Sequence, residues 1–282
     1  MLRRSRDDRR AALLAAAVLT LGSAGLAARQ PAGARPETAA ALSAAALEIA
    51  CGPMAAFKPP STALQVIGSL TDAEQLYAPW HRLVINAGAD HGLKPGQLFY
   101  VRRVVRPPED PSFTHLVTTR ASQDHRQTAA PGGSEPAPVR AFAIMTAGWI
   151  RLDAVEPARS IATILHACDG VMPGDYLEPF VAPVPPPELP DGTPDYASPA
   201  RVLFGVERRA LAGGRTLVVI DRGAKAGLKP GQRFTFFRPS AAGPNVIVAE
   251  GIALLVSDDA TMTRVERMRD AVLSGDFAAI HR

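Results

Sequence analysis

The sequence predicts a mostly β fold: two tandem small β-barrels after a signal peptide and a short Ala-rich helical extension. Three observations carry this expectation. The hexapeptide GLKPGQ stands at residues 92–97 and again at 227–232. The segments flanking both copies are short runs in which β-branched and aliphatic residues recur with period two, bounded by Gly, Pro and Asp. The 282 residues include 26 prolines, 23 glycines and only 6% aromatics, which suits short strands joined by turns better than long helices. A chain of this length builds about two domains, each able to bury its own core.

Residues 1–28 read as a signal peptide. Arg3, Arg4, Arg6, Arg9 and Arg10 form the basic region, Ala11 to Ala28 carry no charge, and Gly25 and Ala27 are small residues suited to cleavage after Ala27. Two other readings stand beside it: an uncleaved helical anchor, since such a segment nearly spans a bilayer, and a poorly ordered Ala-rich tail. Cleavage would remove five arginines and two aspartates, three net positive charges, and lower the formal charge from +4 to +1. A nearly neutral chain has no electrostatic footprint for nucleic acid. The only membrane contact expected is the signal segment, if it stays uncleaved.

Residues 29–61 form an N-terminal extension in which PETAAALSAAALEIACGP (36–53) predicts one short helix stopped by Gly52 and Pro53. Cys51 and Cys168 are the two cysteines of the chain. They form either a disulfide, which would persist outside the cytoplasm, or a pair of buried thiols.

The repeat extends beyond the hexapeptide. RLVINAGADHGLKPGQLFYVRR (82–103) and RTLVVIDRGAKAGLKPGQRFTFFR (215–238) both read strand, turn, strand, each ending in Arg. Residues 147–179 align with 250–281 after a two-residue gap, and 64–69 lie on 202–207. Within each copy GVMPGD (170–175) and AVLSGD (271–276) echo the same corner. Pro95, Pro173 and Pro230 preset φ for the second position of a type II turn, and Gly96, Gly174, Gly231 and Gly275 supply the positive φ of the third. Gly92, Gly170 and Gly227 complete the expected turn residues. Gly92 takes a left-handed conformation so that Leu93 can fold back onto the core. The copies span 62–180 and 201–282. The first contains a polar loop over about 107–138, and a Pro-rich linker or surface strap joins the two at 181–200.

No catalytic, cofactor-binding or metal-ligating set is assigned. The six histidines are scattered, no HExxH, GxSxG, Walker A or dinucleotide fingerprint occurs, and no CxxC or Cys/His cluster points to a metal. The polar residues in DHG (90–92) and CDG (168–170) track turn positions, since the second copy reads KAG and RDA there. Phe99 and Phe234 are expected in the core and Trp80 and Trp149 beside them, whereas Tyr100, Phe236 and Phe237 are candidates for an outward binding surface.

The pattern VIN-G…GLKPGQ-F-V-R followed by G-I-L…T…D-V--GD resembles the C-terminal barrel domain of the flagellar assembly protein T family, over about residues 62–282. It is also similar to uncharacterised secreted bacterial envelope proteins that carry the unit twice. The resemblance implies a periplasmic scaffold and brings no catalytic residues. The expectation is thus an exported, non-enzymatic envelope protein that binds another envelope protein or assembles with itself. A peptidoglycan-type glycan-binding module is the alternative, and an enzyme with the 107–138 loop as a lid ranks last.

Signal cleavage at the expected site leaves Ala28 as the first residue, which mass spectrometry of the protein from fractionated cells checks. Recovery of intact chain from the membrane fraction would favour the anchor instead.

Overall fold

Apolar runs punctuated by Pro-Gly corners form one helix and fifteen strands among the residues that the computed structural model describes: 42–70, 76–106, 141–187, 189–205, 211–212, 216–240 and 243–282. The signal peptide, the first part of the extension and the 107–138 loop lie outside the described residues. In chain order come α1 (Ala44–Ala50), β1 (Met54–Ala56), β2 (Val66–Ser69), β3 (Arg82–Ile85), β4 (Leu98–Arg106), β5 (Phe142–Val155), β6 (Ser160–Ala167) and β7 (Tyr176–Pro179). They are followed by β8 (Pro194–Gly205), β9 (Leu211–Ala212), β10 (Leu217–Ile220), β11 (Arg233–Arg238), β12 (Val246–Val256), β13 (Thr261–Met268), β14 (Val272–Leu273) and β15 (Phe277–His281).

The second half is a closed six-stranded barrel in the order β10-β13-β12-β11-β15-β8. The first half is a seven-stranded sheet ordered β2-β3-β6-β5-β4-β7, with β1 added on β5. Every pairing is antiparallel, and the end strands β2 and β7 also meet. Val66 N–H donates to Asp175 O at 2.9 Å, and Gly174 and Leu177 N–H donate to Val66 O and Leu64 O at 2.8 and 2.9 Å. At the matching place in the barrel Val202 N–H donates to Asp276 O and Gly275 N–H to Val202 O, both at 2.8 Å. β9 and β14 form a two-stranded sheet of their own, where the first half has the isolated bridge Tyr77–Val171.

The corners explain why the hexapeptide is used twice. Gly96, Gly174, Gly231 and Gly275 have φ of 84°, 91°, 86° and 92°, the left-handed value that the third position of a type II turn requires. In all four, the residue after Gly closes the turn twice. Its N–H bonds back to the first turn residue, and its side chain accepts that residue's own N–H: Lys94 N–H to Gln97 Oε1 at 3.0 Å, Lys229 to Gln232 Oε1 at 3.2 Å, and Met172 and Leu273 to Asp175 and Asp276 Oδ2 at 2.8 Å. Gly92 and Gly227, at φ 76° and 82°, end matching 3-10 turns. Leu93 and Leu228 then turn inward and are buried, as expected for Leu93. Gly170 has no positive φ; a Cβ there would run into Leu76.

The two Asp corners are buried, with Asp175 2% and Asp276 0% exposed, and each meets an Arg of the strand that follows GLKPGQ, Arg103 within β4 and Arg238 at the end of β11. Arg103 Nε and Nη2 donate to Asp175 Oδ1 and Oδ2 at 2.7 and 2.8 Å, and Arg238 does the same to Asp276 at 2.8 and 3.0 Å. The remaining reach of each guanidinium takes a corner carbonyl, Gly170 O or Ala271 O. Asp169 and Asp270 complete the set from the exposed side. The Ala271 N–H and the Arg238 guanidinium hold the Asp270 carboxyl below its ordinary value.

Each half has its own core. Val66, Leu83, Ile85, Phe99, Val101, Ile150, Leu152, Ile164 and Val171 fill the first. Val202, Val218, Ile220, Phe234, Phe236, Ala253, Val265 and Val272 fill the second.

Two boundaries and the alignment of the copies differ from the expected ones. Residues 194–200, placed in the linker, already belong to β8, where Pro194 and Ala200 pair with His281 and Ala278. Residues 54–56, placed in the extension, add a strand to the first sheet because their backbone pairs with 142–144. The two-residue gap is unnecessary, since Val155 and Val256 end equivalent strands and Asp175 and Asp276 close equivalent corners in step. By the closing bonds, Val66 rather than Leu64 stands where Val202 does.

α1 forms as expected: Ser43 Oγ caps it by accepting the Ala46 N–H, and Gly52-Pro53 follow its last turn. The helix is apolar on two sides. Ile49 packs with Leu217, Ile252, Leu254 and Met262 on the outer surface of the barrel. Ala50, with Leu47 and Cys51, packs on Tyr100 and Trp149 of the first sheet. Glu48 adds an ion pair to Arg264 at 3.0 Å, and Cys51 is joined to Cys168 by a disulfide. A second contact layer brings Ala55, Phe57, Val105 and Ala143 against Leu203, Phe204, Val219 and Ala260.

Truncating one member of a buried ion pair strands the other charge, so Asp276→Ala should lower stability by about 3–5 kcal/mol. Asp270→Ala, at the exposed end of the same set, should cost about 1 kcal/mol or less. Chemical denaturation of both variants checks this, and equal losses would show that the buried pair is not what holds the corner.

Candidate functional site

The outer surface of the first sheet, where β4, β5, β6 and β7 lie side by side, is aromatic. Tyr100 on β4 stands opposite Trp149 on β5, which stands opposite His166 on β6, and Phe180 follows β7. Trp149 stacks on His166 with ring centroids 4.4 Å apart, and Phe180 lies 4.6 Å from Tyr100. α1 covers this surface, and the Tyr100 hydroxyl donates to Val181 O at 3.0 Å. Burial raises the Tyr100 pKa, against the lowering charge of Arg102, and burial lowers that of His166. Beside His166 lies the disulfide. The two Sγ atoms and a His166 ring nitrogen all fall within 4.8 Å of one another.

At the equivalent strand positions the barrel carries Thr235, Glu250 and Arg267, with His281 at the end of β15. With Asp191, Gly192, Arg233, Phe234 and Gly251 these outline an open cavity of about 260 Å³, except that Thr235 is not in its lining. Its charges are already paired. Arg233 meets Asp191 and Glu266, and Arg267 meets Glu250 at 3.1 Å. The His281 Nε2 is 2.8 Å from the Thr235 hydroxyl. Burial lowers the His281 pKa; Asp191 and Glu250 oppose this and Arg233 adds to it.

The third feature is apolar and exposed. Ile67 in β2, Leu70 just after it, and Leu76 and Trp80 before β3 are between 45% and 66% exposed. Trp80 has φ of 73°, the one positive φ outside glycine among the described residues. Its N–H donates to Ile164 O at 2.9 Å, which fixes the backbone and leaves the indole outside.

Several expected positions are therefore corrected. Phe236 is in the barrel core. Tyr100 and Phe237 do point away from their cores but are covered, Tyr100 by α1 and Phe180, and Phe237 by Tyr196 and Phe277 at 5.0 and 5.6 Å. An outward aromatic is a docking place for the chain's own segments before it is one for a partner. Trp149 is buried as expected and Trp80 is not. Cys51 and Cys168 pair, and the fold gathers the Cys/His cluster that no local motif announces. The nearest signal is the His166-x-Cys168 spacing at the end of β6, which shows two members of the cluster but not the third, Cys51, 117 residues from Cys168. Trp80 had no signal beyond the Pro79 that precedes it. Pro187 and residues 189–193 lie on the barrel, with Thr193 and Arg282 exchanging backbone bonds at 3.0 Å. Among the described residues no helix is long and apolar enough to cross a membrane.

Comparison with protein-family models and with curated proteins finds no match.

Burial holds the His166 and His281 imidazoles below the ordinary 6.5, so the unfolded chain takes up protons at a higher pH than the folded one. Their contribution to stability is intact above pH 6.5 and is lost as the pH falls below it. The melting temperature should fall from neutral to mildly acid pH, and less so in a His166→Gln, His281→Gln double variant. Parallel profiles for the two proteins would contradict this.

Proposed function

We propose that this chain is an exported cell-envelope protein that acts as a non-enzymatic scaffold, built from one barrel unit folded twice in tandem and binding another envelope protein, or a second copy of itself, through Ile67, Leu70, Leu76 and Trp80. The duplication reading is supported by the repeated strand order and by the corner bonds that recur atom for atom. Export is supported by the basic-then-apolar N-terminus and by a disulfide of the kind that persists in oxidising compartments. The likeness to the flagellar assembly protein T barrel points to the same compartment.

The observation that carries the binding site is Trp80. A large side chain held at positive φ costs of order 1–3 kcal/mol, and here the strain places an indole in solvent where it packs no core. Burying it and its apolar neighbours on a partner recovers free energy in proportion to the area covered. The same exposed indole also suits stacking on a sugar ring, which keeps cell-wall glycan as the second reading.

Trp80→Gly relieves the backbone strain, so the variant should be as stable as the parent or up to about 1 kcal/mol more so, while capture of its partner by crosslinking in the envelope fraction drops sharply. Loss of stability with unchanged capture would make Trp80 a structural residue. Sedimentation with purified cell wall that depends on Trp80 would replace the protein partner with a glycan.

A further inference from the structure

β6 ends at His166-Ala167, Cys168 follows it directly, and the end of α1 brings Cys51 to the same point. Two sulfurs and one imidazole nitrogen within 4.8 Å of one another are the donor set of a three-ligand site for a thiophilic cation, with the fourth position open. In the disulfide form the sulfurs are bonded to each other and cannot act as thiolates. We propose that reduction of Cys51–Cys168 opens a Cys51–His166–Cys168 site for a thiophilic d10 cation such as Zn²⁺.

The steps balance. A dithiol reductant gives up two electrons and two protons as its sulfurs join into a disulfide, the Cys51–Cys168 bond breaks, and each cysteine becomes a thiol. Zn²⁺ then displaces the two thiol protons to water, and neutral His166 adds a ring lone pair.

Three observations favour a formed site over a chance approach. Reduction need not scatter the ligands, because the packing of Leu47 and Ala50 on Tyr100 and Trp149, and the Glu48–Arg264 ion pair, hold the end of α1 without the disulfide. The Cα atoms of the two cysteines are 5.4 Å apart. Tetrahedral zinc with Zn–S bonds of about 2.3 Å sets its sulfurs about 3.8 Å apart, a separation that side-chain rotation reaches from this backbone spacing. Trp149 lies nearly parallel to the His166 ring, 17° between planes, and limits its swing. All three ligand residues are partly exposed, which leaves a way in for the ion. The metal would then bridge α1 and the first sheet where the disulfide did.

The test uses the full chain. Zn²⁺ is titrated by calorimetry into oxidised protein, into protein reduced and freed of reductant under anaerobic conditions, and into reduced His166→Ala. The expected result is one Zn²⁺ per reduced chain and none at this place in the oxidised chain. His166→Ala should weaken binding by at least the roughly tenfold that loss of an outer-shell partner costs. Co²⁺ added to the reduced wild type should give a thiolate-to-cobalt charge-transfer band, a readout that needs no variant to fold. Equal Zn²⁺ binding by oxidised and reduced protein, an undiminished His166→Ala affinity, or absence of the cobalt band overturns the proposal.

Discussion

Closing a small antiparallel sheet depends on its corners, where the chain reverses and leaves backbone N–H groups with no strand to bond. This chain solves that problem four times with one device: a positive-φ glycine followed by a residue whose side-chain oxygen accepts the first turn N–H. At the exposed corners the oxygen is an amide of Gln97 or Gln232, and nothing more is needed. At the buried corners it belongs to Asp175 or Asp276, and an ionised carboxylate out of water requires a countercharge. Arg103 and Arg238 provide it through paired bonds that match the planar carboxylate. The same guanidinium accounts for a corner carbonyl, so the Arg, the Asp and the turn form one unit, and the strand that carries the Arg is fixed in register against the strand that follows the Asp.

Once the first sheet and the barrel have formed, their outward faces decide how they are held together. On the barrel, the outer surface beneath α1 presents Leu217, Ile252, Leu254 and Met262. The matching strand positions of the first sheet are Arg82, Arg151, Asp153 and Ile161, with an Arg151–Asp153 ion pair at 3.0 Å. An apolar helix can therefore dock on only one of these two surfaces. Its opposite side meets the Tyr100, Trp149 and Phe180 surface of the first sheet, and the disulfide closes that contact. Burying side chains of this size is worth about 1.5–3 kcal/mol each, so a seven-residue helix that would be marginal alone is stable as a wedge between two sheets. The cores show a comparable exchange of volume. Phe236 stands where the first sheet has Val101, and Gly251 and Ala253 stand where it has Ile150 and Leu152, which leaves room for the larger ring.

Local chemistry made the corners, the strand order around GLKPGQ and the short helix legible, because Pro, Gly and the helix-stopping Gly52-Pro53 act within a few residues of themselves. The downstream alignment slipped by two because Gly148 and Gly251 look equivalent as letters while strand pairing sets Gly148 beside Ala249. The Arg after GLKPGQ and the Asp at the corner were both visible, but joining them required the fold, since they lie 72 residues apart in one half and 38 in the other. Outward aromatics were misjudged for a similar reason. Period two places Tyr100 and Phe237 away from the core, yet whether that side is wet depends on segments as distant as α1 and the strap.

Among the described residues, the barrel cavity and the exposed side chains around Trp80 are two surfaces on which the proposed partner could dock, and their physics differs. In the barrel cavity, Arg233, Arg267, Glu250 and Asp191 already satisfy one another. A ligand entering there must first separate ion pairs and then replace every bond it breaks, so only a ligand of closely matched charge gains by binding. At Ile67, Leu70, Leu76 and Trp80 the exposed side chains are apolar and no ion pair of theirs has to be broken, and each square ångström of apolar area covered contributes about 25 cal/mol. The backbone there is already fixed by the bond to Ile164, so ordering the indole on a partner costs little additional entropy. For the partner proposed above, covered apolar area with little left to order favours Ile67, Leu70, Leu76 and Trp80 over the cavity as the first point of contact, and would make that contact sensitive to the shape of the partner more than to its charge.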